Sequence, residues 1–345
     1  MNPSTDWKEV IPAGEEAQLE ALAQRLAVLQ QRRAQGGAPG RSLHVKGHLG
    51  VEATFEVLGD LPAHAQVGLF AAPATYRTLV RFSNGTGRRQ ADRKPDVRGI
   101  ALKLLGVPGK KVIPGMETCR TQDFLLNRDR TQPFSDPDDF VWLIESAESP
   151  ALLPFKAISR FGLRRGVTLI KGLMSSLGKP IASVATTGFF SMLPVQFGEL
   201  ACKYALFPRE ADAPGAKPGT TPNHLGEELA ARLGQAKVEY DFKVQFFVSE
   251  ALTPIEDASK EWLEADSPFL TVGRLTLPVQ DVHSERGRAL GEQIEALSFD
   301  PWHTLECFRP LGKMMRARNH AYRVATMARG VAPEPEDDVL DQRSA

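Results

Sequence analysis

The residues best placed to do chemistry together lie in FRPLGKMMRARNHAYRVATMARG, near the C-terminus. Arg318, Tyr322 and Arg329 stand four and seven residues apart. At about 100° per residue they fall within about 40° of one another on a helix that stops at Gly330. One stripe therefore carries two cations and a phenol. A free phenol titrates near pH ~10, so a phenolate that ligates a metal at neutral pH needs a nearby cation, and an arginine one turn away supplies it. Arg318 has that spacing. The same spacing also describes a surface helix with scattered arginines and a tyrosine packed at its edge, because RxxxY is a short pattern.

A second group lies in RSLHVKGHLG, where His44 follows Arg41 by three residues at the start of a strongly alternating strand. His44 and His48 have the separation of a helical metal pair, but Gly47 and the strand pattern deny them a shared helical face. No mononuclear metal site is expected there. Arg41 and His44 face opposite sides of an ideal strand, so bringing them together requires a twist or bulge. In VRFSNG, alternation turns Arg81 and Ser83 to one face and Val80 and Phe82 to the other. A buried Arg81 needs an anion. KPDVRGIALKLLGV reads as a turn feeding a strand, with Asp96 and Arg98 near the turn and Gly99 permitting close backbone approach.

The elements that must position these residues follow from periodicity. A leading helix spans Glu15 to Arg33 and is ended by GGAPG; further helices are predicted for PDDFVWLIESA, Phe155 to Leu177, HLGEELAARLG, ERGRALGEQIEAL and Lys313 to Ala328. VEATFEVLGD, TLVRFSNG, GIALKLLGV, DFLLNR, KVEYDFKVQFFVSE and FLTVGRLTLP read as strands. Successive strands with few helices between them indicate an α+β chain built on an antiparallel barrel rather than alternating βα units.

With 345 residues the chain can bury a large core, and forty-two basic residues balance forty-two acidic ones, so no global field favours nucleic acid. Cys119, Cys202 and Cys307 are too few and too far apart for a disulfide framework or a CxxC pair. The first residues lack a basic-then-apolar leader and no run reaches a membrane span, so a cytoplasmic location is the expectation. FKAISRFGLRRGVTLIKGLMSSLGK mixes apolar and basic residues; a peripheral membrane contact is the lesser reading and packing on the protein's own barrel the expected one. The acidic, Pro-rich residues 331–345 read as a flexible tail.

Taken in order, these segments resemble a known family. RSLHVKG is similar to the RxxHAKG element of catalases, VRFSNGTG to their VRFS, PDVRGIALKL to DPRGFAVKF, VGRLTL with ALSFDP to VGKMVL with AFDP, and KMMRARNHAY to KMLQGRLFAY. The likeness covers roughly residues 41–330, loosely over 130–235, and the short length resembles the minimal catalase-related haem peroxidases. It implies a catalase-like antiparallel barrel with surrounding helices and haem b buried between barrel and C-terminal helix. Residues 1–40 would be an N-terminal helix and linker, and 41–330 the haem-binding domain. With no CxxCH, the haem would be held non-covalently.

On this resemblance Tyr322 is the iron ligand and Arg318 its hydrogen-bonding partner. His44 is the acid/base on the other face, breaking the peroxide O–O bond on the way to a ferryl intermediate, and Ser83 orients its ring. Arg41, Arg81 and Arg329 hold the haem propionates, and Asp96 lies near the substrate channel. Catalases carry an asparagine just before a TPxFF stretch, whereas CRTQDFLL has Arg120 or Thr121 there and Leu125 in place of a phenylalanine. The usual amide is therefore expected to be missing. Arg120 could assist O–O cleavage, or face solvent while Thr121 or a water takes the role; Asn84 and Asn127 are further candidates.

The expected activity is reduction of hydrogen peroxide or organic hydroperoxides by an external electron donor, with weak catalase activity. Rearrangement of a fatty-acid hydroperoxide, as in catalase-like allene oxide synthases, and a non-catalytic haem-binding protein are the alternatives. A homo-oligomer is compatible with all three.

Overall fold

Nine strands organise the molecule: β1 (Gly47–Val57), β2 (Ala74–Asn84), β3 (Arg98–Leu105), β4 (Thr121–Asn127), β5 (Phe189–Phe190), β6 (Val195–Phe197), β7 (Leu200–Pro208), β8 (Val238–Phe246) and β9 (Leu270–Leu277). The computed structural model describes residues 2–37, 39–177, 180–213 and 216–335. All strand pairings are antiparallel and run β4-β3-β2-β1-β9-β8-β7, with β5 bridging β4 to β7. The sheet thus closes into an eight-stranded barrel. β6 pairs with the start of β7 and continues the path of β5.

Alternation explains which side chains go inward. In β1, Val51, Ala53, Phe55 and Val57 are buried while Glu52 and Glu56 point out. The interior is aromatic: Phe55 meets Phe242 with ring centroids 5.1 Å apart, and Phe124 meets Phe242 at 4.9 Å. Burying each ring contributes about 1.5–3 kcal/mol and fixes the barrel as a packed core. β7 was not visible in the sequence because LACKYALF is buried almost throughout and so has no alternating pattern.

Helices cover the outside: α1 (Glu15–Ala34), α2 (Pro137–Ser146), α3 (Leu153–Leu177), α4 (His224–Leu233), α5 (Glu285–Ala296) and α6 (Lys313–Arg329). Ile294 of α5 and Phe299 cover Leu79 and Leu105 on the barrel's outer face. α6 ends at Gly330 in the left-handed region, φ 65°, as the sequence predicts. α1 braces α6: Leu19 and Leu22 pack with Val141 of α2 and Ala317, and Arg316 Nε donates to Glu15 at 2.6 Å. α3 departs from expectation. It leaves Phe155, Leu163 and Met174 exposed instead of burying them on the barrel.

Glu334, at the head of the segment read as a tail, is buried against the barrel. Its carboxylate lies 3.4 Å from Lys103 and 3.2 Å from Lys111, and accepts a bond from Thr121 Oγ1 at 2.6 Å. Residues 336–345 lie outside the described residues.

Candidate active site

The outward side chains of β2, β3 and β4 form rows across the sheet, set by register. Ser83 pairs with Gly99 and Gly99 with Asn127; one step along, Arg81 pairs with Ala101 and Ala101 with Leu125. The first row has a glycine at its centre, which leaves a hollow between two polar side chains. The His44 ring occupies it. A Cβ added to Gly99 would lie 2.6 Å from His44 Cε1, 2.9 Å from Nδ1 and 3.1 Å from Asn127 Oδ1. Ser83 Oγ is 2.9 Å from His44 Nδ1. Nε2 is left as the ring nitrogen with no partner among the described residues.

His44 does not sit on a strand. β1 begins at Gly47, and His44 precedes it in the left-handed region at φ 54°. That conformation resolves the geometric conflict between Arg41 and His44, because a reversal of backbone hand lets both line one cleft. It is an unfavourable conformation for a residue with a Cβ, costing of order 1–3 kcal/mol, and surrounding bonds hold it. His44 N donates to Gly85 O at 3.0 Å, and Arg81 Nη2 donates to His44 O at 2.9 Å.

The cleft encloses about 920 Å³ of space free of protein atoms, part of it open to solvent. One wall is the barrel row just described. The other is α6, which contributes Arg318, Ala321, Tyr322, Ala325, Thr326 and Arg329. Between them the lining is apolar, with Leu26, Leu43, Ile100, Leu125 and Phe299.

On α6, Arg318 Nη2 donates to Tyr322 Oη at 2.8 Å, the bond expected from residues one turn apart. Desolvation works against the charge of Arg318, which is half-buried, but Tyr322 and other neighbours outweigh it and its pKa is raised. His44 shows the opposite behaviour. Burial first, then the fields of Arg81, Arg318 and Arg41, push its pKa from 6.5 down to about 3, so the ring is neutral at physiological pH.

Arg41, Arg81 and Arg329 gather at one edge, and their one charged partner among the described residues is Glu295. Arg81 Nε and Nη2 donate to its carboxylate at 2.7 and 3.0 Å, while Arg41 Nε stands 3.8 Å away. Arg41 Nη2 and Arg329 Nη2 are otherwise bonded to backbone carbonyls of Glu295, Ala296 and Leu297. Arg41 Nε is buried without a hydrogen bond. Burial, helped by the charges of Arg81 and Arg329, lowers the Arg41 pKa to about 9. For Glu295, burial opposes ionisation but the Arg81 bonds prevail, so its pKa is lowered. Three guanidinium groups around one half-exposed carboxylate leave an excess of positive charge that calls for further anions.

Of the residues the sequence nominates, His44, Ser83, Arg41, Arg81, Arg318, Tyr322 and Arg329 line this cleft together. Arg120 and Thr121 do not. Arg120 is exposed and donates to Gly106 O at 3.3 Å; Thr121 is bonded to Lys111 and Glu334. The register explains the error: the cleft lies at the Asn127 end of β4, and Thr121 is six residues, about 20 Å, along the strand. Nor is an amide absent, because Asn127 lines the cleft with its Oδ1 buried and unpartnered. Asn84 is buried elsewhere, accepting from Arg98 Nη1 at 2.6 Å. Asp96 is not on the cleft; it accepts from Gly85 N, Thr86 N and Thr86 Oγ1, fastening the turn to which His44 is tied. Glu295 was missed, and Gly99, read as permitting close backbone approach, makes room for the His44 ring. Glu295 had one legible signal, a carboxylate in the last turn of a helix, where it opposes the helix dipole unless cations surround it.

The eight-stranded barrel thus carries a phenol and an imidazole on facing walls of one cleft. The fold is shared with a fungal catalase (TM-score 0.65, 18% identity, 96% of this chain and 67% of that one), catalase A from Saccharomyces cerevisiae (0.67, 17%, 95% and 67%) and a bacterial catalase (0.62, 18%, 97% and 66%). The chain thus spans about two thirds of the length of these catalases. In sequence it is 29% identical over 294 residues, 81% of this chain and 85% of the other, to a catalase-related peroxidase from Mycolicibacterium paratuberculosis (strain ATCC BAA-968 / K-10). No family model matches the chain. The chain is therefore similar in sequence to a catalase-related peroxidase and shares the fold of catalases.

Proposed function

We propose that the cleft binds haem b and that the protein reduces hydroperoxides with electrons from an external donor. One observation carries this reading: a phenol held by an arginine and a neutral imidazole line the same apolar slot, whose edge carries three arginines around one carboxylate. The fit is one of shape and charge. A flat tetrapyrrole suits the aliphatic walls, its two propionates suit Arg41, Arg81 and Arg329, and Tyr322 suits the iron. When bound, the haem supplies the redox-active iron at which an O–O bond can be broken.

The chain's own residues set the conditions for that chemistry. Arg318 donates to Tyr322 Oη and holds the phenol oxygen in place. Ser83 engages His44 Nδ1, which fixes the ring and leaves Nε2 to take a proton from a bound hydroperoxide and return it to the departing oxygen. The depressed pKa keeps that nitrogen free of a permanent charge. Asn127 offers an unpaired acceptor beside the ring for the hydroperoxide's O–H. Glu295 gives way to the propionates at Arg81, or shares the cluster with them.

The overall reaction takes ROOH, two electrons and two protons to ROH and water. Its test is product analysis on the haem-supplemented protein, using hydrogen peroxide and an organic hydroperoxide, each with and without a reducing dye. Alcohol formation that requires the dye is expected. Oxygen release from hydrogen peroxide as the main outcome would make the protein a true catalase, and a rearranged product without reductant would make it an isomerase of hydroperoxides.

A further inference from the structure

Between Glu148 and Glu199 the chain carries no acidic residue and six cations, although overall the two signs balance at forty-two each. α3 fills much of this stretch and is kinked at Gly162, φ 78°. Beyond the kink, Leu163, Val167, Ile170 and Met174 fall within about 60° of one another on the helix. Most of that stripe is exposed: Leu163 is 69% exposed, Val167 37% and Met174 63%, while Ile170 is half-buried beside Gly166, which packs on Ala157 and Ile158 of the segment before the kink. Arg164 and Lys171 flank the stripe, and Phe155, 75% exposed, extends the apolar surface before the kink.

Arg160 is neutralised by Asp138 and Asp139. Lys156, Arg164 and Lys171 have no ion-pair partner among the described residues. A solvent-facing apolar stripe bordered by unpaired cations suits the surface of an anionic bilayer, where the apolar residues enter the acyl boundary and the cations meet phosphates. A second copy of this chain is a poorer occupant, because a two-fold pairing would set these cations against one another. No helix among the described residues is long and apolar enough to cross a membrane, so the helix would lie on it.

We propose that α3 is a membrane-docking element that lays its Leu163–Met174 stripe into the interface of an anionic lipid surface. Docking does not depend on haem. Its consequence, access of the cleft to hydroperoxides formed in lipids, rests on the peroxidase reading.

The test is flotation of the full-length protein with vesicles of phosphatidylcholine mixed with phosphatidylglycerol and with vesicles of phosphatidylcholine alone. The protein should float with the first and not the second, and high salt should release it. Replacing Arg164 and Lys171 together by Glu should lower vesicle affinity at least about tenfold, since each cation near the surface is worth about a factor of five. Leu163→Asp with Met174→Asp should abolish flotation while leaving the melting temperature unchanged, because both side chains are exposed. No flotation of the wild type at low salt, or equal binding to both vesicle types, overturns the proposal. So does a dimer in sedimentation velocity that Leu163→Asp dissociates, which would assign the stripe to a second copy.

Discussion

On the α6 wall of the cleft, Arg318 meets Tyr322 because the two are one helical turn apart, and any regular helix through those residues produces the bond. On the barrel wall, His44, Ser83, Gly99 and Asn127 come from four separate segments and meet only when three strands are in register and one residue adopts a left-handed backbone. The first arrangement is local and tolerant. The second is assembled by the whole sheet, so small changes of volume or charge should disturb it out of proportion to their size.

The largest expected effect is at His44. Loss of an acid/base group costs about 10²–10⁴-fold in rate, so His44→Gln should cut peroxide turnover in that range while haem uptake persists. The same variant should alter the pH dependence of stability. Below 6.5 the unfolded chain takes up a proton that the folded site refuses until about pH 3. His44 therefore costs stability as pH falls through that window, by about 1.4 kcal/mol per pH unit. Denaturant titrations of the haem-free protein should show a shallower acid decline for His44→Gln; an unchanged slope would mean the ring is not buried and neutral.

Gly99→Ala probes the hollow itself. A methyl 2.6 Å from the His44 ring and 3.1 Å from Asn127 forces one of them to move, at a cost of about 1–3 kcal/mol. Activity should fall with stability. An alanine that melts and reacts like the wild type would show that the barrel wall is looser than its register implies.

Glu295→Gln tests the charge balance at the shared edge. Without haem it should destabilise the protein by about 1 kcal/mol, a value discounted because the carboxylate is half-exposed. The lowered Glu295 pKa means its stabilisation is present above about pH 4.5 and is lost as pH falls below that, so the two proteins should converge in acid. Haem titration should reach the same end point in both. The smallest stability effect is at Asn127: its Oδ1 has no partner to lose, so Asn127→Ala should leave the melting temperature almost unchanged and lower peroxide turnover.

The same contrast explains what could be read before folding. That Arg318 and Tyr322 share a helix face was legible from spacing, and that Arg81 and Ser83 share a strand face from alternation, since both depend on local periodicity. The strands that alternate were legible too, while β7, buried on both faces, and the two-residue β5 left no pattern. Arg120 and Thr121 were misplaced because a linear motif does not reveal which end of β4 faces the cleft. Asn127 became prominent only through its pairing with Gly99, and Glu295 only through three arginines that converge from different parts of the chain.

The most direct test of the central claim is the visible absorption spectrum of the protein titrated with haem, compared with Tyr322→Phe. The wild type should show a high-spin ferric phenolate signature at one haem per chain, and Tyr322→Phe should lose it while retaining the fold. An identical spectrum from both proteins, or no uptake of haem by the wild type, would contradict the assignment of Tyr322 and of the cleft.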